Sequence, residues 1–254
     1  MKISATLITF NEEKNIQAAL ESVAWADEII VVDSISTDRT RDLASQFGAR
    51  VIERKWPGFA AQKQFATDAT TNDWVFSLDA DERVSSELKN SISQLRQPQV
   101  LADGYYVPRK SYYQGRWIKG GGWYPNRQLR LFRKSMAHWK PRLIHESVQM
   151  NEGSRVAELS GDILHYSVEN ATHHHRMIGE RYAPLAAEQA FAEGQRSSAI
   201  KIATAAPSAF LRSYVLKGGF RDGVAGLTIA GFAAHHAFLK NVLLWELEKK
   251  NSRQ

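Results

Sequence analysis

Within its first 80 residues the chain alternates four times between an apolar, β-prone run and a stretch of helical spacing, and this order restricts the fold more than any other feature it has. Residues 3–10 read as a first strand. Asn11 is placed to cap a helix with Glu12 and Glu13 in its first turn and Ile16, Ala19, Leu20 and Val23 as its buried stripe. Residues 27–33 form a nearly continuous apolar run ending in Asp33, the pattern of a parallel strand buried on both faces. Thr37 or Asp38 can cap the next helix, which carries Leu43, Ala44 and Phe47 and stops at Gly48. A short strand at 50–53, helical spacing between Pro57 and Ala69, and a strand at 74–78 complete the series. Such an order calls for right-handed βαβ crossovers and a mostly parallel central sheet flanked by helices, an α/β fold. Thr9 with Asn11, Asp33, and Asp79 with Asp81 then fall at strand ends along one edge, where open α/β sheets bind ligands.

A chain of 254 residues with 43% hydrophobic content can bury a sizeable core, as one large domain or one domain with an appendage. It has no cysteine. That excludes disulfides, thiolate metal sites and a cysteine nucleophile, and agrees with a reducing compartment. No apolar segment with a small-residue cleavage site follows Met1, so the expected location is cytoplasmic. The net charge of +6 favours an anionic partner, and a nucleotide, a nucleic acid or a membrane surface would each satisfy it.

Asp79 and Asp81 are two apart, so on an extended backbone both carboxylates point the same way and present hard oxygen ligands to one small cation, which could grip a diphosphate. An isolated Asp-x-Asp is more often a solvated turn, and context has to decide. Asp33 suits the base or ribose of a nucleotide. The glycine signatures of dinucleotide folds and P-loops are absent, so phosphate charge must be met in another way. Lys63 is the available cation, or else a surface lysine on an amphipathic helix. Residues 104–132 interleave tyrosine and tryptophan with Arg109, Arg116, Arg127 and Arg130. Sugar stacking, a core of aromatic strands and single-strand nucleic-acid binding all fit that mixture. Gly120, Gly121 and Gly122 read as a mobile loop over the site. His173, His174 and His175 diverge around a helix and receive no ligand role.

Three segments in order carry a resemblance: Leu7-Ile8-Thr9-Phe10-Asn11-Glu12-Glu13, then Val31-Val32-Asp33-Ser34-x-Ser36-Thr37-Asp38-x-Thr40, then Leu78-Asp79-Ala80-Asp81-Glu82. Together they resemble the GT-A family 2 glycosyltransferases, inverting enzymes that use nucleotide sugars. Gly120-Gly121-Gly122-Trp123-Tyr124-Pro125, Gln128-Leu129-Arg130-Leu131-Phe132-Arg133 and Ile144-His145-Glu146-Ser147-Val148 are similar to the bacterial branch that builds the lipopolysaccharide inner core, including its β-1,4-glucosyltransferases. The chain departs from the pattern at Ile35, where many relatives carry glycine, and at Lys63, where arginine is common.

The resemblance covers roughly residues 1–170 and implies a GT-A domain over 1–200 followed by a C-terminal helical appendage over 201–254. Residues 1–102 would form the donor-nucleotide half and 103–170 the acceptor and catalytic half. It further implies substrate contacts from Thr9, Asn11, Glu12, Asp33, Lys63, Asp79, Trp123, Gln128 and Arg130. A divalent ion, magnesium or manganese, would be held by Asp81 with Asp79 nearby, and Glu146 would take the proton of the acceptor hydroxyl. His165 is either a third metal ligand by the same resemblance or a core histidine. The donor implied is a nucleotide sugar, with UDP-glucose the expectation, and the acceptor a lipid-linked saccharide of the lipopolysaccharide core. No nucleic-acid partner is expected. A polyprenyl phosphate is the alternative acceptor, and a single-strand nucleic-acid binder the alternative of another class. A nucleotidyltransferase would carry a glycine-rich basic loop where Asn11-Glu12-Glu13 stand.

Beyond Pro207 long apolar stretches dominate. Leu216, Phe220, Leu227, Phe232, Phe238, Leu243, Leu244 and Trp245 can enter an acyl boundary while Arg212, Lys217, Arg221 and Lys240 face anionic headgroups. That would seat the protein peripherally on the cytoplasmic face of the inner membrane. Residues 224–238 are too short and polar for a spanning helix. Packing against the catalytic domain or against a dimer partner would use the same side chains.

Overall fold

In the computed structural model, which describes residues 1–96, 102–140, 147–166 and 168–251, the chain opens with β1 (Ile3–Thr9), α1 (Ile16–Ser22), β2 (Glu28–Asp33), α2 (Thr40–Gln46), β3 (Arg50–Glu53), α3 (Phe59–Asp68) and β4 (Trp74–Asp79). β1 pairs in parallel with both β2 and β4, and β2 with β3. Alternation decides what each side chain meets. Leu7, Val31, Phe76 and Leu78 pack with Ile16, Ala19 and Leu20 of α1, whereas Ile30 and Val32 pack with Ala66 of α3. With both faces covered, apolar residues are needed at successive positions, which is why β2 reads as a run and not as an alternation. The register sets Thr9 opposite Asp33 and Ile8 opposite Asp79, so the three strand ends share one edge.

The second half of the sheet is mostly antiparallel. The chain continues with β5 (Glu82–Val84), α4 (Ser86–Gln94), β6 (Gly104–Tyr113), β7 (Arg116–Trp117), β8 (Asn126–Arg133), β9 (Ala137–Lys140), β10 (Ser147–Met150), β11 (Val156–Glu158) and β12 (Ile163–His165), of which β9 and β10 pair with each other in a separate two-stranded sheet and β11 lies parallel to β6. β8 runs antiparallel to β4 and to β6, giving the order β3-β2-β1-β4-β8-β6. β5 pairs antiparallel with β12, with Glu82 opposite His165. Ser85 caps α4 by accepting from the Leu88 N–H at 3.2 Å.

One local expectation gives way. Asn11 does not cap α1, which begins at Ile16 after Asn15. It takes a left-handed φ of 54°, which asparagine tolerates, and its side-chain oxygen accepts from the Thr37 N–H at 2.8 Å. Ile35 also sits at a left-handed φ of 64°, unusual for a β-branched side chain. This is the position where glycine is common among the proteins the sequence resembles, and the backbone keeps the conformation that glycine favours.

The chain divides into two compact units, Met1–Arg109 with Asn126–His165, and Lys110–Pro125 with Tyr166–Gln254. The second unit takes in residues 110–125 and everything from Tyr166 onward. In this second unit Gln114 and Gly115, both at positive φ, make the tight turn into β7. Then follow α5 (Ala171–Arg176), α6 (Ala183–Ala192), α7 (Ala199–Leu211) and α8 (Gly223–Asn251).

Gly120 to Gly122 are packing residues, contrary to the mobile loop expected. A Cβ on Gly120 would stand 2.4 Å from the Gly218 carbonyl oxygen. The buried Asp222 carboxylate accepts from the N–H groups of Lys119 at 3.1 Å and Gly120 at 2.7 Å, and the Gly121 N–H donates to the Lys217 carbonyl at 2.9 Å. α8 also corrects the short reading of residues 224–238. Gly219–Asn251 is long and apolar enough to cross a membrane by length and composition, because the helix continues through Trp245. Parts of it serve the interior: Leu244 packs with Ala187 and Ala190 of α6, Leu243 lies against them, and Phe232 lies 4.2 Å from the His174 ring.

His174 is buried among Tyr113, Trp123 and Phe232, with Nδ1 3.3 Å from the Tyr113 hydroxyl. Burial, helped by neighbouring His173, pushes its pKa down from 6.5 to about 4. A histidine held neutral in the fold contributes stability that is complete above the unfolded value and lost as pH falls from there towards the folded value. His174→Gln should therefore flatten the loss of stability between pH 6.5 and about 4, worth on the order of 3 kcal/mol, in urea titrations across that range. Gly161→Ala is expected to cost about 3 kcal/mol or more in the same assay. The position has φ 91° and an added Cβ would lie 2.2 Å from the Leu88 backbone nitrogen.

Candidate active site

The β4 strand ends at Asp79 and β5 begins at Glu82, leaving Ala80 and Asp81 in the turn between them. That turn separates the roles of the two aspartates. Asp79 Oδ1 lies 2.8 Å from Lys63 Nζ of α3, and its Oδ2 accepts from Arg130 Nη2 of β8 at 3.0 Å. Glu82, fully buried, accepts from Arg130 Nη2 at 2.9 Å and from Arg109 Nη1 at 3.1 Å, and its other oxygen accepts the Asp79 backbone N–H at 3.0 Å. Five side chains thus form one network, three cations against two carboxylates. Burial pushes the Asp79 carboxyl up, but Lys63 and Arg130 outweigh it and hold the group well below the usual carboxylate range.

Asp81 faces elsewhere. Its Oδ2 lies 3.3 Å from His165 Nε2, an oxygen and a nitrogen donor side by side. The expectation that Asp79 and Asp81 grip one cation together meets a physical obstacle, since both Asp79 oxygens are already committed to cations. Among the described residues no three histidine or acidic side chains converge as a metal-binding group. Asp81 and His165 are the pair that could hold a cation, provided ligand or water oxygens complete its shell.

At the neighbouring strand ends, Asp33 is fully buried and accepts from the Thr9 hydroxyl at 2.8 Å, the Ser36 N–H at 2.7 Å and the Ser36 hydroxyl. In this arrangement it builds the loop after β2. The two loops are laced together: the Asn11 N–H donates to the Ser36 hydroxyl at 2.8 Å and the Glu12 N–H to the Thr40 hydroxyl at 2.7 Å. Burial raises the Glu12 pKa. A hydrogen bond from Asn15 opposes this, and the charges of Asp81 and Asp38 add to it. The Asp81 charge thus reaches Glu12 across the strand ends.

The remaining expected residues are dispersed. Gln128 is half-buried and donates to Asn126 at 2.7 Å. Trp123 belongs to the second unit, packed on Tyr113 and edge-on to His174. Glu146 lies outside the described residues. Glu82 and the role of Arg109 were not anticipated. No local signal sets Glu82 apart, since it follows the turn after β4 as a solvated acidic residue would, and the cations that accompany its burial are distant in the chain.

The family model of glycosyl transferase family 2 matches residues 4–157, more than half of the chain. The chain belongs to this family. It is 32% identical to an uncharacterized glycosyltransferase of Rickettsia typhi over 98% of this chain and 89% of that one. It is 29% identical to the lipopolysaccharide core biosynthesis glycosyltransferase LpsC of Rhizobium meliloti, over 100% of this chain and 95% of that one. Among solved structures, glucosyl-3-phosphoglycerate synthase of Mycobacterium tuberculosis, in complex with Mn2+, UDP and glucosyl-3-phosphoglycerate, is similar at 27% identity with a TM-score of 0.36, covering 45% of this chain and 44% of that one. The mostly parallel half of the sheet, its flanking helices and the long C-terminal helix make this family member a GT-A-type α/β protein.

The division between the aspartates is open to a stability test. Glu82→Gln should cost about 3–5 kcal/mol in urea unfolding, because Arg109 and Arg130 lose a buried counter-charge, whereas Asp81→Ala should change stability by less than about 1 kcal/mol. Asp79→Asn should also remove part of the acid-limb slope. Its depressed folded pKa gives stability present above the unfolded value and lost as pH falls through the folded one.

Proposed function

We propose that this family 2 glycosyltransferase moves glucose from UDP-glucose, with inversion, to a saccharide of the lipopolysaccharide core, working at the cytoplasmic face of the inner membrane. The likeness to LpsC along the whole chain supports the acceptor class. The observation that carries the donor reading is the pairing of Asp81 with His165 at a sheet edge backed by Lys63, Arg109 and Arg130. A buried network with one surplus positive charge favours a diphosphate. Residues 1–102 would serve the donor and residues 103–170 the acceptor.

Asp81 and His165 fit a divalent ion, and an imidazole nitrogen among hard oxygens favours manganese over magnesium. Bound there, the ion would offset the charge that grows on the departing diphosphate. The chain's own residues would do the rest. Lys63 and Arg130 fix Asp79, and with it the turn that presents Asp81. The laced loops at Thr9, Asn11, Glu12 and Asp33 form the wall against which a nucleoside would lie, with the exposed Phe10 ring at its rim. Glu146 would take the proton from the acceptor hydroxyl as its oxygen bonds to the anomeric carbon and the bond to the nucleoside diphosphate breaks.

The test is mass spectrometry of a lipopolysaccharide core fraction incubated with the full chain and a panel of nucleotide sugars. A single hexose added from UDP-glucose supports the proposal, and transfer only to a polyprenyl phosphate, or no transfer, overturns it. In the same assay Glu146→Gln should keep KM for the donor and lower kcat by a factor on the order of a hundred or more. A parallel fall in donor binding would assign Glu146 to structure.

A further inference from the structure

The helical unit carries a surface that is apolar where a water-soluble protein is normally polar. None of the residues of α7 is buried, yet its outward positions include Ile200, Pro207 and Leu211 at helical spacing, with Val215 in the next turn. Across the turn into α8, Leu216 and Val224 are each 76% exposed, and Phe220 and Leu227 stand beside them in sequence with about half of their surface free. Single exposed leucines need no explanation, but a succession of them over one helix and the following turn marks an interaction surface. The exposed charges at its end near residues 212–221 have one sign. Residues 194–245 contain six basic side chains and one acidic one, Asp222, which is buried against the backbone of residues 119–120. Among the exposed side chains of this stretch, Arg212, Lys217 and Arg221 rim the apolar tip with no carboxylate between them.

We propose that this face, the outward side of α7 together with the turn into α8 over residues 200–227, is a membrane-docking surface that seats in the interface of a bilayer bearing anionic headgroups without crossing it. The inference rests on the reading of the acceptor as anchored in such a bilayer. Apolar side chains ringed by cations match the acyl boundary and the headgroup layer in that order. A second copy of the chain fits less well, because a twofold interface would set this all-positive rim against itself. The docking element is α7 with the turn into α8 and not the whole of α8. Ile229, Ala230 and Leu244 are buried and Phe232 rests on His174, so part of the apolar content of α8 is spent on its own unit. Confinement to the membrane plane would raise the effective concentration of enzyme and lipid-borne acceptor with no new contact at the site.

The experiment is flotation of the full chain with vesicles of phosphatidylcholine, alone or mixed with phosphatidylglycerol, alongside UDP binding by calorimetry. Wild type should float with the anionic vesicles, float less at high salt, and be released by alkaline carbonate. Ile200→Ser combined with Leu216→Ser and Val224→Ser should weaken partition on the order of tenfold or more. Because all three side chains are about three-quarters exposed, the variant should keep its helical signal and its UDP affinity. Flotation equal to wild type would overturn the proposal. Resistance to carbonate would overturn it in favour of a spanning helix, and conversion of a dimer to a monomer without vesicle binding would overturn it in favour of a subunit interface. Failure of wild type to bind UDP would strike the transferase reading instead and leave the flotation result standing.

Discussion

The buried ion network of Lys63, Asp79, Arg130, Glu82 and Arg109 is the constraint on which the first unit depends. It ties α3 and β4, from the parallel half, to β5, β6 and β8, from the antiparallel half. Buried ion pairs are weak evidence of stability, since desolvation offsets much of their attraction, but removing one member strands the others at high cost. Their effect here is on position. With Asp79 held from both sides and its N–H bound to Glu82, the turn that follows has little freedom, and Asp81 is delivered to His165. Three cations against two carboxylates also leave a positive surplus at the edge of the sheet where a phosphate would arrive.

The parallel half was legible because it obeys a local rule. Strands buried on two faces are rich in apolar residues at successive positions, and the chain has such stretches in β1, β2 and β4, which end in the polar residues Thr9, Asp33 and Asp79 that the register then aligns. Glu82 was not legible for a corresponding reason. Its partners lie 27 and 48 residues away, and nothing local distinguishes it from the solvated end of an acidic turn. Asn11 shows two local preferences in competition: asparagine is favoured both as a helix cap and in left-handed turns, and the hydrogen bond to Thr37 selects the second. The triple glycine shows a similar ambiguity. Absence of a side chain permits motion or close approach, and only the Gly218 carbonyl 2.4 Å from where a Cβ would stand decides for approach.

In the second unit, composition revealed apolar helices but not which face of them would be covered. α8 is apolar nearly all round, so periodicity could not separate Leu244, which is buried, from Leu227, which is exposed. That distinction moves the proposed anchor from a diffuse set of residues along the helix to its N-terminal turn and α7. Asp222 illustrates how the exposed charge becomes uniform. As the single acidic residue of its stretch, it is withdrawn to hold two backbone N–H groups, and the surface it leaves is positive.

The central claim is that Asp79 is an ion-pair hub and that Asp81 with His165 receives the metal. Pulsed electron paramagnetic resonance of manganese with the full chain and UDP, using protein labelled with nitrogen-15 in histidine, tests it most directly. The account predicts a hyperfine coupling from one directly bound imidazole nitrogen that disappears in His165→Gln and in Asp81→Ala but survives in Asp79→Asn wherever that variant stays folded. A manganese spectrum without imidazole coupling, or one unchanged by His165→Gln, would contradict it.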